Sequence, residues 1–194
     1  MMSNLVHVAV AAMLASACGG AATADTPAST TTIRMTHPSS SVTEGEITVG
    51  ASPDAVYAVL TDYEGWPRVF TYLDRVQIHT QQGDAVEIAT VSKTGKTAEL
   101  RCRNERATRT VRFEQVNGRA HVAADIAVKT GQAAGTASIR VRMTAKVSGA
   151  LGWLVSDATI RHKREQKITK DLRLLQAYFE NAAAVATRRA DAAR

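Results

Sequence analysis

Thr136-Ala137-Ser138-Ile139-Arg140-Val141-Arg142-Met143-Thr144-Ala145-Lys146-Val147 alternates from end to end. Ala137, Ile139, Val141, Met143, Ala145 and Val147 fall on one side, and Thr136, Ser138, Arg140, Arg142, Thr144 and Lys146 on the other. Successive side chains of a strand point to opposite faces, so this pattern predicts a strand with one dry face and one wet face. Antiparallel sheets look like this when a single face packs on a core, and the dry face then needs a cover. That cover follows downstream. Ile168, Leu172, Leu175, Phe179, Ala182 and Ala186 recur at spacings of four and three, the apolar stripe of a long amphipathic helix.

Upstream, period-two stretches run over Arg75 to Thr80, Ala85 to Val91, Thr97 to Arg103, Thr108 to Glu114 and Ala120 to Val128. Gly83-Asp84, Lys93-Thr94-Gly95-Lys96, Asn104 to Ala107, Asn117-Gly118 and Thr130-Gly131 separate them. Connections that short force antiparallel neighbours, so the strands form a meander. Before the meander, Glu46-Ile47-Thr48-Val49 alternates, and Ser52-Pro53-Asp54 supplies an N-cap, a proline at the first helical position and an early acid. Val56, Val59 and Leu60 share one side of that helix, and Asp62 opens a second short one containing Trp66, Pro67, Val69 and Phe70. The expected class is α+β, with about seven strands, two short helices after the first strand and one long C-terminal helix.

This order resembles the helix-grip fold of the START-like, or SRPBCC, superfamily, which includes polyketide cyclases and dehydrases, lipid-transport domains and coenzyme-Q-binding proteins. Ala51-Ser52-Pro53-Asp54-Ala55-Val56-Tyr57-Ala58-Val59-Leu60-Thr61-Asp62-Tyr63-Glu64-Gly65-Trp66-Pro67 is similar to the superfamily's capped opening helix with its acidic-aromatic turn. Gly149-Ala150-Leu151-Gly152-Trp153-Leu154-Val155 resembles the apolar loop that many bacterial members carry before the last helix. The resemblance covers about residues 44 to 187 and implies a curved antiparallel sheet wrapped around the long helix, with a ligand site between them. The residues expected to line it are Val59, Phe70, Val76, Ile78, Ile88, Leu100, Val111, Phe113, Val122, Ile126, Ile139, Val141, Met143, Leu172, Leu175 and Phe179. Such walls suit an aliphatic ligand, at roughly 25 cal/mol per Å² of apolar area covered.

Catalytic chemistry needs polar groups that break the apolar parity, and none stands out. The sequence has no metal-ligand spacing, nucleophile elbow, Gly-rich phosphate loop or paired carboxylates on one inward face, so no catalytic residue, metal or cofactor is assigned. His79 and His121 fall opposite the apolar residues of their strands, and Tyr57, Tyr63, Tyr72 and Thr90 are candidate hydrogen-bond partners for a ligand head group. Cys102 alternates with Ala98 and Leu100 and reads as a small buried hydrophobe. The leading expectation is non-catalytic binding or transport of a lipid, quinone, sterol or similar molecule. A cyclase/dehydratase-type enzyme acting on a polyketide-like substrate, or a protein-interaction module, are the alternatives.

The apolar run Leu151, Trp153, Leu154 and Val155 precedes a basic half-helix. It could gate the ligand site, close the core, or dip into an anionic membrane while Arg161, Lys163, Arg164 and Lys167 meet head groups. The formal charge of +6 allows an anionic partner without choosing one. Nucleic acid is not expected, because aromatics are only 5% of the chain and base-stacking residues do not interleave with the basic ones.

At the N-terminus, Leu5 to Ala17 is an apolar run free of Asp, Glu, Lys and Arg, too short to span a bilayer and placed like a signal-peptide core. Leu14-Ala15-Ser16-Ala17-Cys18 resembles a lipobox, which implies cleavage before Cys18 and lipidation of its thiol. With Gly19 following, that resemblance implies an anchor in the cell envelope, in the outer membrane facing the periplasm if the cell is Gram-negative. Cleavage after Ala22-Thr23-Ala24 would instead release a soluble periplasmic or secreted protein. The expected organisation is residues 1–18 signal peptide, 19–43 flexible tether of Gly, Ala, Ser, Thr and Pro, and 44–194 folded domain with a tail frayed after about 187.

Overall fold

In the computed structural model, which describes residues 32–118, 120–147 and 155–192, the alternating segments pair into one antiparallel sheet of eight strands. These are β1 (Arg34–Ser39), β2 (Val42–Val49), β3 (Leu73–Gln82), β4 (Ala85–Ser92), β5 (Thr97–Glu105), β6 (Thr110–Gln115), β7 (Ala120–Thr130) and β8 (Ala137–Val147). Helix α1 (Pro53–Thr61) and the single helical turn α2 (Trp66–Val69) lie between β2 and β3, and α3 (Asp157–Ala192) follows β8. The spatial order is β1-β2-β8-β7-β6-β5-β4-β3. The meander β3 to β8 is thus joined by β2, which pairs with β8 from Val42↔Thr144 to Val49↔Ala137. This is the α+β helix-grip architecture.

One expectation needs correction. The stretch expected as the end of a tether contains β1, which pairs with β2 through Arg34↔Glu46, Met35↔Gly45 and Thr36↔Glu44. Backbone pairing on an open sheet edge tolerates almost any side chain, and Ile33 and Met35 alone pack toward the core, too few to make a pattern. The sheet therefore has eight strands, and the short helices follow its second. At the other end α3 runs to Ala192, and every residue from Asn181 to Arg189 is exposed. The alanines of this stretch favour helix without tertiary support.

The opening helix forms as its residues dictate. Ser52 Oγ accepts from Ala55 N at 3.2 Å, Pro53 occupies the first turn, and Val56 and Leu60 face the core. Trp66 buries its ring and donates Nε1–H to Leu60 O at 3.1 Å, which ties α2 to α1. Helix α3 packs chiefly on β2 and β8. It can do so because β2 carries Gly45: a Cβ there would lie 2.3 Å from Ile168 Cγ2 and 3.2 Å from Leu172 Cδ1. The wet face of the sheet is charge-compensated, with Glu46 between Arg34 and Arg140, Glu44 near Arg142, and Arg112 between Glu105 and Asp125. Ser138 donates to Glu46 at 2.6 Å and, with Arg140 and Arg34, holds that carboxyl below its ordinary pKa.

Candidate functional site: the open end of the grip

Antiparallel pairing gathers the starts of β2, β3, β5 and β7 and the ends of β4, β6 and β8 at one end of the sheet. Their opposite ends meet at the other. The concave face differs between the two. Along the rows Val49↔Ala137 and Ile47↔Ile139↔Val128, and at Val111, no inward residue is more than 4% exposed. Helix α1 lies over β6, β7 and β8 and supplies Val56 and Leu60 to that seal.

At the end where β8 finishes, the larger inward side chains Val76, Phe113, Val122 and Val147 are only half-buried. Val76 pairs with Thr90, Phe113 with Ala124, Val122 with Ala145, and Val147 with Ala120. Large apolar residues set opposite alanines or a threonine, and left partly uncovered, make a roomy apolar wall rather than a closed core.

Of the residues expected to line a ligand site, Phe70, Ile88, Leu100, Val111, Ile126, Ile139, Val141, Met143, Leu172, Leu175 and Phe179 belong to the buried cluster. Val59, Val76, Phe113 and Val122 are partly buried against it. Ile78 differs: it lies on β3, which has no strand beyond it, and is 38% exposed although it pairs with buried Ile88. Val155 is half-buried. Leu151, Trp153, Leu154 and Cys18 lie outside the described residues.

The basic half-helix also needs correction. Arg161 is exposed and Lys163 half-buried, but Arg164 and Lys167 are 3% and 7% exposed and cannot lie on a head-group layer as the chain is folded. Arg164 continues the apolar stripe of α3 one turn before Ile168, and Lys167, next to Ile168 in sequence, lies on its flank. Arg164 donates from Nε to Thr43 Oγ1 at 2.9 Å and from Nη2 to Ser40 O at 2.6 Å, binding the β1–β2 hairpin to the helix. Burial lowers its pKa.

Lys167 enters a polar cluster at the open end. Its ammonium donates to Asp171 Oδ2 at 2.5 Å and to the hydroxyl of Tyr72, the residue just before β3. The Tyr72 hydroxyl donates in turn to Asp171 Oδ1 at 3.1 Å. Lys170 adds a second ammonium 4.6 Å from the centre of the Tyr72 ring, beside Lys167 at 4.5 Å. Burial first, and Asp171 second, push the Tyr72 pKa well above its ordinary value, so the phenol keeps its proton.

The remaining polar candidates serve the fold. Tyr63 is buried and donates to Asn104 Oδ1 at 2.6 Å, and Thr90 donates to Ala98 O at 3.3 Å. Tyr57 is half-buried, with its pKa raised chiefly by burial. Burial pushes the Cys102 thiol up to about 11, which leaves little thiolate at neutral pH. Among the described residues no group of three or more His, Cys, Asp and Glu could hold a metal ion. The Lys167–Tyr72–Asp171 cluster was missed as a unit in the sequence because Tyr72 lies 95 positions from Lys167. The one available signal was the spacing of Lys167 and Asp171, four apart beside the apolar stripe.

Residues 40–180 match the family model described as polyketide cyclase / dehydrase and lipid transport. No curated protein matches the chain. Among solved structures, a START superfamily protein from Mycobacterium smegmatis is 11% identical, with a TM-score of 0.62 over 73% of this chain and 99% of that one. The Zhui aromatase/cyclase from a Streptomyces species is 16% identical, with a TM-score of 0.63 over 73% of this chain and 94% of that one. The protein Ara h 8.0201 is also 16% identical, with a TM-score of 0.57 over 72% of this chain and 97% of that one. At such identities the likeness is one of fold.

Proposed function

The chain belongs to the polyketide cyclase / dehydrase and lipid transport family, and from that premise we propose that it binds and carries a hydrophobic small molecule such as a lipid, quinone or sterol without chemically changing it. The supporting observation is the contrast along the concave face: Val76, Phe113 and Val122 point inward on an apolar wall yet stay half-buried, while the far end is sealed. A ligand completing that burial would gain roughly 25 cal/mol for each Å² of apolar area it covers. Entry is at the end of the sheet where β8 finishes, next to the 148–154 stretch, with Leu151, Trp153, Leu154 and Val155 as its gate.

The protein operates in the cell envelope, delivered by the apolar segment Leu5 to Ala17 and held there through lipidated Cys18. The exposed Arg161 is left as a contact for an anionic surface. Native mass spectrometry of the full chain recovered from its host tests the carrier role: a co-purifying apolar molecule is expected. A protein that arrives empty and refuses every lipid, quinone and sterol offered contradicts it. N-terminal mass analysis separates lipidation of Cys18 from cleavage after Ala24.

A second reading, cyclase-type catalysis, draws on the family and on the Tyr72–Lys167–Asp171 cluster, whose protonated phenol and ammonium could donate to a carbonyl oxygen as negative charge develops there. It requires that Tyr72→Phe abolish turnover of a poly-β-keto substrate while leaving its binding intact.

A further inference from the structure

We propose that Tyr72, Lys167 and Lys170 form a carboxylate-binding station at the open end, so that the carried molecule is an anionic amphiphile with a carboxylate head and an aliphatic body. The inference rests on the carrier reading and names its ligand class.

The geometry for a carboxylate is already built, because Asp171 occupies it. Tyr72 hydroxyl donates to Oδ1 of that carboxylate at 3.1 Å and Lys167 Nζ to Oδ2 at 2.5 Å, one donor to each oxygen. Charge-assisted hydrogen bonds of this kind are about twice as strong as neutral ones. The ion pair lies largely inside the protein: the Lys167 side chain is 9% exposed and that of its acceptor Asp171 19%, with Tyr72 and Lys170 half-buried beside them.

The charges do not balance. Lys167 and Lys170 both lie within 4.6 Å of the Tyr72 ring centre, against the single carboxylate of Asp171. The cluster is therefore one positive charge in excess at a position screened less than the outer sheet face. An incoming carboxylate can share the two ammoniums with Asp171 or displace it.

The apolar side of the station faces the right way. The Tyr72 ring is 6.2 Å from that of Phe70, a member of the buried cluster, and the hydroxyl points to the helix. Val76 lies on β3, the strand that Tyr72 immediately precedes. A head group at Tyr72 thus leaves an alkyl chain to run along Val76 toward Phe113 and Val122.

The experiment compares dodecanoate with dodecanol, two probes with the same body and different heads, by direct titration of the full-length protein and of three variants. In wild type, dodecanoate should bind about 10-fold or more tighter than dodecanol, the value of one good charge-assisted contact. Lys170→Met should cut that preference at least about 3-fold with dodecanol affinity unchanged, and Lys167→Met should remove it. Asp171→Asn, which deletes the resident competitor while keeping its shape, should tighten dodecanoate binding by several-fold. A purely structural cluster would instead weaken both probes. Equal binding of the two probes to wild type, or weaker dodecanoate binding in Asp171→Asn, overturns the carboxylate station while the carrier reading stands. Failure of both probes to bind overturns the station and, if the protein also arrives empty and refuses every lipid, quinone and sterol, the carrier reading with it.

Discussion

The two ends of the concave face are made from the same strands and the same kinds of residue, yet one is closed and the other is not. At the closed end α1 lies on β6 to β8, and Ile47, Ile139 and Val128 are at most 2% exposed. At the open end half-buried Val76, Phe113, Val122 and Val147 sit opposite Thr90, Ala124, Ala145 and Ala120, and the buried cations sit here: Arg164 on Thr43, and Lys167 on Tyr72 and Asp171. The difference teaches where stability and function separate. Packing at the closed end holds the fold, so the open end can keep uncovered apolar wall and a buried charge cluster, neither of which a stable core favours.

The contrast can be broken most forcefully where α3 touches the sheet. Leu172→Ala removes a fully buried side chain beside Gly45 and should cost about 3–4 kcal/mol by urea unfolding, as large-to-small core changes do. Next in size is a pH effect. The Cys102 thiol goes from an ordinary 9.0 to about 11 in the folded chain. The native state then keeps a proton that the unfolded chain releases. The associated stability is complete below about pH 9 and falls by about 2–3 kcal/mol as pH climbs to 11. Urea midpoints at about pH 8 and about pH 10.5 should therefore diverge less in Cys102→Ala than in wild type. Tyr63 and Tyr72 shift in the same direction and leave a residual alkaline loss in that variant.

Arg164→Met strips the donors from Thr43 and Ser40 and should cost about 1–2 kcal/mol, with faster hydrogen exchange of the β1–β2 hairpin than of β6 and β7. The smallest effect should come from the open wall. Val122→Ala should change stability by less than about 1 kcal/mol, since the side chain is only half-buried, while weakening dodecanoate binding measurably. A large stability loss at Val122 would erase the distinction between the two ends.

What the sequence discloses follows from the same physics. The dry face of β8 and the stripe from Ile168 to Phe179 are periodic signals produced by burial, so the sheet, the meander and its covering helix are legible. β1 is not, because pairing on an open edge is made by backbone groups and leaves no side-chain period over six residues. Arg164 and Lys167 read as solvent-facing because they are charged, although Arg164 falls one turn before Ile168 on the inward arc and Lys167 at its flank. Whether a charged residue along an apolar stripe is buried depends on its partner, and Thr43 and Tyr72 lie far away in the chain. The apolar wall itself is legible residue by residue, but its division into a sealed end and an open end depends on where α1 lies, which no local pattern states. Ile78 shows the same limit: its parity is right, and its exposure follows from being on the last strand of the sheet.

Isoleucine methyl NMR of the full-length protein during titration with dodecanoate tests most directly whether the open end is where ligand lodges. Ile78 and Ile88 belong to the strands of the open wall, and Ile47 and Ile168 to the sealed contact of β2 with α3. Saturable shifts of Ile78 and Ile88, with Ile47 and Ile168 nearly still, are expected. Shifts confined to Ile47 and Ile168, or no saturable shift at any of the four, would contradict it.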